Sequence, residues 1–248
     1  MVEKEIITSK DNRRIKDLRK LQTKKYRSRL NRFLIEGEHL VEEAVTHGQM
    51  VHTVILLEDY DHSSLDLKNI DLMFVSRDVM KSLSLLETPP GIMAVVTYNA
   101  PESTGNRVLL LDYVQDPGNL GTLIRTADAF GFSRVILSPD TVDVFSDKVL
   151  RSAQGSTFHI DIEIKEPTLA VGEFKGVVLG TALDNAQPLS DVETSDGPLM
   201  LVLGNEGRGI SDVVLSKVDT RVKIEMSGQS ESLNVGIAGG ILMHHFKA

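Results

Sequence analysis

The sequence predicts an α/β protein in two parts, the second an open parallel sheet, and three observations carry that prediction. Short β-rich apolar runs alternate with helical segments along the whole 248-residue chain. The runs of the second half, RVLLLDYV, RVILS, GVVLGTAL and LMLVLG, are continuous rather than alternating, as expected of strands buried on both faces. Between the halves lies NAPESTGN, polar, broken by Pro101 and Gly105 and without apolar periodicity, which reads as a linker. The boundaries expected are therefore 1–98, a linker at 99–106, and 107–248.

Taken in order, Ser9 is placed to cap a basic amphipathic helix in which Ile15, Leu18 and Leu21 recur at helical spacing. Their neighbours are Arg13, Arg14, Lys16, Arg19, Lys20, Lys24, Lys25 and Arg27. FLIEG reads as a short strand, and HLVEEAVTHG as a helix stopped at Gly48. VHTVILL and IDLMFVS read as strands, and SRDVMKSLSLL as a helix. In TPPGIMAVVTY the prolines forbid helix and the β-branched run after them favours a strand. Beyond the linker the helical segments are LGTLIRTADAFG, SDKVLRSAQG, ISDVVLSKV and LNVGIAGGILMHHF.

Composition excludes several classes of chemistry. With no cysteine there is neither a disulfide framework, nor a thiolate zinc site, nor a cysteine nucleophile. The histidines show no ligand spacing, so no metal is expected, and His244 and His245 read as surface or interface. The charged N-terminus and the lack of an apolar run near the roughly 20 residues that cross a bilayer lead to an expected cytoplasmic location without membrane contact. The formal charge of −8 hides an asymmetry: residues 1–35 carry 12 Lys and Arg against 4 Asp and Glu, leaving 15 against 31 for the rest. A basic arm on an acidic body is a candidate phosphate-binding element, although a solvated helix face explains the charge equally well.

Ligands of open α/β sheets bind beyond the carboxyl ends of the strands, so the loops there are the candidates. In DYVQDPGNLGTLIR, Pro117 and Gly118 make a turn, Asn119 is suited to cap the helix, and Arg125 follows among apolar neighbours, where a buried guanidinium would need a partner. GNEGRGIS, directly after LMLVL, sets glycines around Asn205, Glu206 and Arg208, as in loops where backbone approaches a ligand closely; it matches neither a Walker nor a dinucleotide pattern. IEMSGQSESLNV leads from a strand into the last helix, with Ser230 or Ser232 as a candidate cap and Ser232 and Asn234 near free backbone N–H groups. GTALDNAQPL, with Thr181 and Ala182, is a weaker signal.

Together these loops resemble the SpoU/TrmH family of RNA ribose methyltransferases. The resemblance rests on NLGTLIRTADAFG, LVLGNEGRGIS and IEMSGQSESLNVGIAGGIL, which occur in the family's order. RRIKDLRKLQTKKYR and FLIEGEHLVEEAV are similar to the family's substrate-binding domain, a ribosomal-protein-like α/β fold that handles RNA. The resemblance implies a deep C-terminal trefoil knot, a homodimer, S-adenosylmethionine as cofactor, and transfer of its methyl group to a ribose 2′-hydroxyl of RNA, ribosomal rather than transfer RNA. It implies a cofactor pocket at Thr181, Ala182, Gly204, Asn205, Glu206, Gly207, Ile224, Met226, Ser232, Leu233 and Asn234. Arg125, Asn119, Glu206, Ser232 and Asn234 are the implied catalytic residues, with Glu206 bracing Arg125 or the cofactor loop. The basic arm from Arg13 to Arg27 and Arg151 would hold RNA. Glu225 stands where the family usually has proline, and Gly236 and Gly239 where serine or alanine is commoner. Base methylation by a knotted relative, or a non-catalytic protein that binds RNA or assists ribosome assembly, are the alternatives.

Overall fold

A computed structural model describes residues 5–103, 105–193 and 196–247; Thr104, within the expected linker, lies outside the described residues. In chain order the first elements are β1 (Ile6–Ile7), α1 (Arg13–Lys20), α2 (Lys24–Leu30), β2 (Phe33–Glu36), α3 (Glu38–Thr46), β3 (Met50–Leu57), β4 (Asp71–Val75), α4 (Arg77–Leu83) and β5 (Ile92–Thr97). Next come β6 (Arg107–Leu111), α5 (Pro117–Ala129), β7 (Arg134–Leu137), α6 (Asp147–Ala153), β8 (Asp161–Ile164) and α7 (Pro167–Glu173). The chain continues through β9 (Val177–Thr181), β10 (Gln187–Pro188), β11 (Leu199–Leu203), α8 (Asp212–Leu215), β12 (Thr220–Lys223) and α9 (Val235–His245).

Contacts divide the chain into two units: residues 1–99 with 145–158, and residues 100–144 with 159–248. In the first, a mixed sheet runs β1-β4-β3-β5-β2, with β5 antiparallel to both β2 and β3. The two-residue period of a strand sorts its side chains between two cores. Val54, Leu56, Ile92, Ala94 and Val96 face Leu40, Val41 and Ala44 of α3, together with Leu150 of α6 and Phe158. Ile55, Met93 and Val95 face Ile15 of α1 and Val79, Met80 and Leu83 of α4. Residues 145–158 thus enter the N-terminal core, Phe33 stacking on Phe145 with ring centroids 4.5 Å apart.

The basic arm is two helices rather than one. It breaks where the Thr23 N–H and hydroxyl both turn back to the Lys20 carbonyl. Asn12 caps α1 by accepting from the Arg14 N–H; Ser9, the expected cap, instead closes a turn onto Asp11.

In the second unit all paired strands of the sheet β10-β12-β9-β11-β6-β7-β8 are parallel. From β6 the chain steps outward to β7 and β8, then returns to the other side through β9, so adjacent β6 and β11 flank the point where strand order reverses. Both are fully buried, as their unbroken apolar runs require. α9 follows β12 in sequence yet packs against α5 and β11. Gly239 makes this possible, because a Cβ there would strike Leu123 and Leu203. The helix end is fastened by Arg107, which is 4% exposed and donates to the Phe246 and Gly197 carbonyls at 2.9 and 2.6 Å. Among the described residues no helix is long and apolar enough to cross a membrane.

Candidate active site

The site lies in the second unit, beyond the carboxyl ends of β6, β9, β11 and β12, where switch-point geometry predicts a ligand. Asp112, directly after β6 and only 6% exposed, accepts from the Ser211 N–H and hydroxyl, both at 2.8 Å. That ties the β6 exit to the far end of the glycine loop. The loop itself folds back on its own backbone, Asn205 and Gly209 exchanging N–H to carbonyl bonds of 2.9 Å. Gly204 is obligatory there, since a Cβ would collide with the Gly209 carbonyl carbon and the Ile210 nitrogen.

Asp116, not Asn119, is the cap of α5: its carboxylate accepts from the Asn119 N–H at 2.9 Å, with Pro117 opening the helix. An aspartate immediately before proline is the signal that identifies it in sequence. Asn119 is thereby released for another task. Its Nδ2 donates to Glu206 Oε1 at 3.1 Å, and its Oδ1 accepts from Asn234 Nδ2 at 2.9 Å. Glu206 also accepts from the Gln115 and Asp116 N–H groups at 3.2 and 3.0 Å. Asn234, not Ser230 or Ser232, caps α9, its Oδ1 accepting from the Gly236 and Ile237 N–H groups.

This chain of bonds has one direction. An ionised carboxylate only accepts, so Asn119 must present its NH2 to Glu206 and its oxygen to Asn234. Asn234 in turn must spend its oxygen on the α9 backbone and its NH2 on Asn119. Burial pushes the Glu206 carboxyl up, but the Asp116 N–H, the Asn119 amide, its own N–H and the Gln115 N–H together hold it below the ordinary glutamate value. Glu206 is therefore an anion throughout the neutral range and anchors the relay.

Thr181 ends β9, and the Ala182 N–H donates to the Val222 carbonyl, so their loop lies beside the one after β12 that carries Ile224 and Met226. Asn205 holds the Gly207 and Arg208 N–H groups on Oδ1 and donates to the Tyr113 carbonyl, Tyr113 itself being left-handed at φ 70°. Ser232 and Leu233 are exposed just before α9.

Arg125 sits two turns beyond Asn119 on α5 and is exposed, which corrects the expectation of a buried guanidinium. Glu206 braces Asn119 rather than Arg125. Arg151 belongs to the other unit, on α6, bound to Asp147 through Nε and Nη2. In the basic arm Arg14 pairs with Asp71, Lys16 with Asp11 and Lys20 with Asp17, at 2.6, 2.9 and 2.7 Å. Arg19 donates to the Ser82 hydroxyl and Arg27 to the Leu21 carbonyl, whereas Arg13, Lys24 and Lys25 are exposed. Asp112 and Arg107 were not singled out by sequence reasoning, because a lone charge beside a β-run carries no mark of its partners.

In the second unit the glycine loop and the capped start of α5 meet where strand order reverses in a parallel sheet, the position at which open α/β sheets bind their ligands. The SpoU rRNA Methylase family description matches residues 106–244, and the chain belongs to that family. An MRM3-like substrate binding domain matches residues 12–94. The chain is 45% identical over 248 residues to the 23S rRNA (guanosine(2553)-2′-O)-methyltransferase RlmP of Bacillus subtilis (strain 168), covering 97% of this chain and 98% of that one. An rRNA methyltransferase from Sinorhizobium meliloti superposes with a TM-score of 0.87 at 28% identity, covering 97% and 96% of the two chains. The AdoMet-bound form of the Sinorhizobium meliloti rRNA methyltransferase superposes at 0.86 and 29% identity, with the same coverage.

Proposed function

We propose that this chain transfers the methyl group of S-adenosylmethionine to a ribose 2′-hydroxyl of 23S ribosomal RNA, in the cytoplasm and as a homodimer. The observation that carries the reading is the Asn234–Asn119–Glu206 relay, which joins the cap of α9, the first turn of α5 and the glycine loop of a SpoU-family domain into one polar site. The MRM3-like match over residues 12–94 supports assigning RNA binding to residues 1–98 and catalysis to 107–248, on either side of the 99–106 linker. A deep trefoil knot in the C-terminal part is supported by the return of α9 to α5 and β11 at the sheet centre. The face α9 leaves open, with Ile237 57% and Ile241 40% exposed, suits a second subunit.

The residues present fit the cofactor. Half-buried Ile224 and Met226 with exposed Leu233 offer apolar surface for a purine, the loops at 181–182 and 204–207 offer backbone N–H and carbonyl groups, and Glu206 places a fixed negative charge nearby. When bound, S-adenosylmethionine supplies a methyl carbon made electrophilic by its sulfonium. Thr181, Ala182, Gly204, Asn205, Glu206, Gly207, Ile224, Met226, Ser232, Leu233 and Asn234 would hold it. Arg125, an exposed guanidinium, serves the ribose side: it stabilises negative charge developing on the 2′-oxygen or grips the adjoining phosphate. Asn119, its amide orientation fixed by Glu206 and Asn234, positions the ribose.

The test is transfer of labelled methyl from S-adenosylmethionine to total unmodified RNA, followed by nuclease digestion and nucleoside analysis. Label in a 2′-O-methylnucleoside of 23S RNA is expected. Label on a base would overturn the nucleophile, and no transfer despite cofactor binding would favour a non-catalytic RNA-binding protein.

A further inference from the structure

The N-terminal unit contains a cavity that the catalytic site does not use. It is about 370 Å³ in volume and lies between the start of α3 and the C-terminal half of α6. That is within the usual size range of small-ligand sites. Its wall is polar and of both signs. Glu36, 7% exposed, lines it, and its carboxylate accepts from the Ser84 hydroxyl and the Leu85 N–H. A carboxylate has roughly four acceptor positions, so about two remain. Burial pushes the Glu36 carboxyl up despite those bonds, so a further donor would be well received.

Opposite stands Arg151, close enough for its charge to act on Glu36. Asp147 takes its Nε and Nη2; among the described residues Nη1 has no partner. Gln154 donates its amide to the Arg151 carbonyl, leaving its Oε1 as an acceptor, and its own carbonyl lies 3.2 Å from His39 Nε2. Ser152 adds a hydroxyl to the wall.

A fully anionic ligand is unsuited to this cavity, because Asp147 and Glu36 already act on the Arg151 guanidinium and Glu38 adds a further acidic residue to the lining. A neutral ligand with parallel donors on one side and an acceptor beside them satisfies both walls. An unpaired guanine has that edge: N1–H and N2–H for the carboxylate, O6 for the free guanidinium nitrogen. RNA loops and bulges offer such unstacked bases, and proteins read them on these edges.

We propose that this cavity takes an unpaired guanine of the RNA substrate, held by Glu36 and Arg151, and so sets which RNA the enzyme engages. The inference rests on the reading of the chain as an RNA-modifying enzyme. It assigns Glu36 a task beyond holding the loop after α4, and gives Arg151 a base rather than a phosphate as partner.

The test titrates the full-length protein with guanosine, inosine, cytidine and uridine 5′-monophosphates by ligand-observed NMR, and measures RNA KM and kcat separately. Guanosine monophosphate should bind best, with inosine monophosphate, which lacks the 2-amino group, weaker by about tenfold. Ser152→Tyr, which fills the cavity without touching the Glu36 hydrogen bonds, should abolish nucleotide binding, keep the melting temperature, and raise RNA KM about tenfold or more with a smaller effect on kcat. Glu36→Gln should lose the preference for guanosine. Equal binding of all four nucleotides, preference for cytidine, or an unchanged RNA KM in Ser152→Tyr each overturns the proposal. If the wild-type protein methylates RNA but shows no guanosine preference, the cavity inference fails alone. If it methylates no RNA, the enzyme reading fails while the nucleotide titration still decides what the cavity holds.

Discussion

Glu206 shows how one ionisable group can set the geometry of the whole site. Four donors hold its carboxyl below the ordinary glutamate value, so the relay persists well below neutrality. The sign follows from linkage: a carboxyl whose folded-state value is depressed stabilises the fold above the unfolded value and loses that contribution as pH falls through the folded one. The melting temperature of the wild type should therefore separate from that of Glu206→Gln above about pH 4.3, and the two should converge in stronger acid. Glutamine in that place must turn an NH2 toward the backbone N–H groups or toward Asn119, setting donor against donor. Its kcat/KM should drop by about tenfold, because the Asn119 amide and the two backbone N–H groups lose the single acceptor that fixes them. Arg125 makes the complementary case. Exposed, and with no hydrogen bond or ion pair among the described residues, it should be replaceable by alanine with unchanged melting temperature and cofactor affinity but a kcat lowered by about a hundredfold, the scale of one lost electrostatic stabiliser. Unchanged turnover would remove it from the mechanism. The placement of Asn119 at the relay follows from its spacing after a β-run, but its surroundings do not. Whether a residue caps a helix or bridges two loops depends on what sits three residues before it and a hundred residues after, and only Asp116 of those determinants has a local signature.

At the scale of elements, the two neighbouring glycines of α9 have opposite roles that sequence alone cannot separate. Both cost about 1 kcal/mol against alanine in a free helix. At Gly239 an added methyl would strike Leu123 of α5 and Leu203 of β11, so Gly239→Ala should destabilise by about 1–3 kcal/mol in denaturant unfolding. At Gly240 the nearest atom is the Thr126 methyl at 3.8 Å, and Gly240→Ala should be neutral or stabilising by up to about 1 kcal/mol. Equal effects would mean that α9 does not depend on close approach to α5. The strands were legible wherever burial on both faces or a two-residue period left a mark, as in β2 to β6, β7, β9 and β11. β8 was not, because DIEI is a half-exposed edge strand with charges in it, nor was α7, whose PTLAVGE holds a glycine and no charged residue before its last position to set off an apolar face. The long basic helix was expected whole because its charge pattern is continuous; the break at Leu21 to Thr23 lies in backbone turns to the Leu18, Arg19 and Lys20 carbonyls, which the Thr23 hydroxyl reinforces.

For the whole molecule the decisive quantity is charge. The chain bears −8 overall while its first 35 residues carry 12 Lys and Arg against 4 Asp and Glu, so under the proposed function this arm is the element that would neutralise RNA phosphates. Affinity for RNA should then fall steeply with salt, the slope counting the phosphates neutralised. The arm's cations are not equivalent in this count. Lys16 lies 2.9 Å from Asp11 and Lys20 2.7 Å from Asp17, so each pair is already near neutral, whereas Lys24 and Lys25 are exposed and without an ion pair among the described residues. Replacing Lys24 and Lys25 together by glutamine should reduce the slope of log affinity against log salt by about 0.7 per lysine for single-stranded RNA. Replacing Lys16 should reduce it by less than half as much, because Asp11 is freed at the same moment. Filter binding across a salt series checks both. Equal slopes for the two variants would mean that RNA displaces the internal pairs, and an unchanged slope in the double variant would move the contact surface away from α2 altogether.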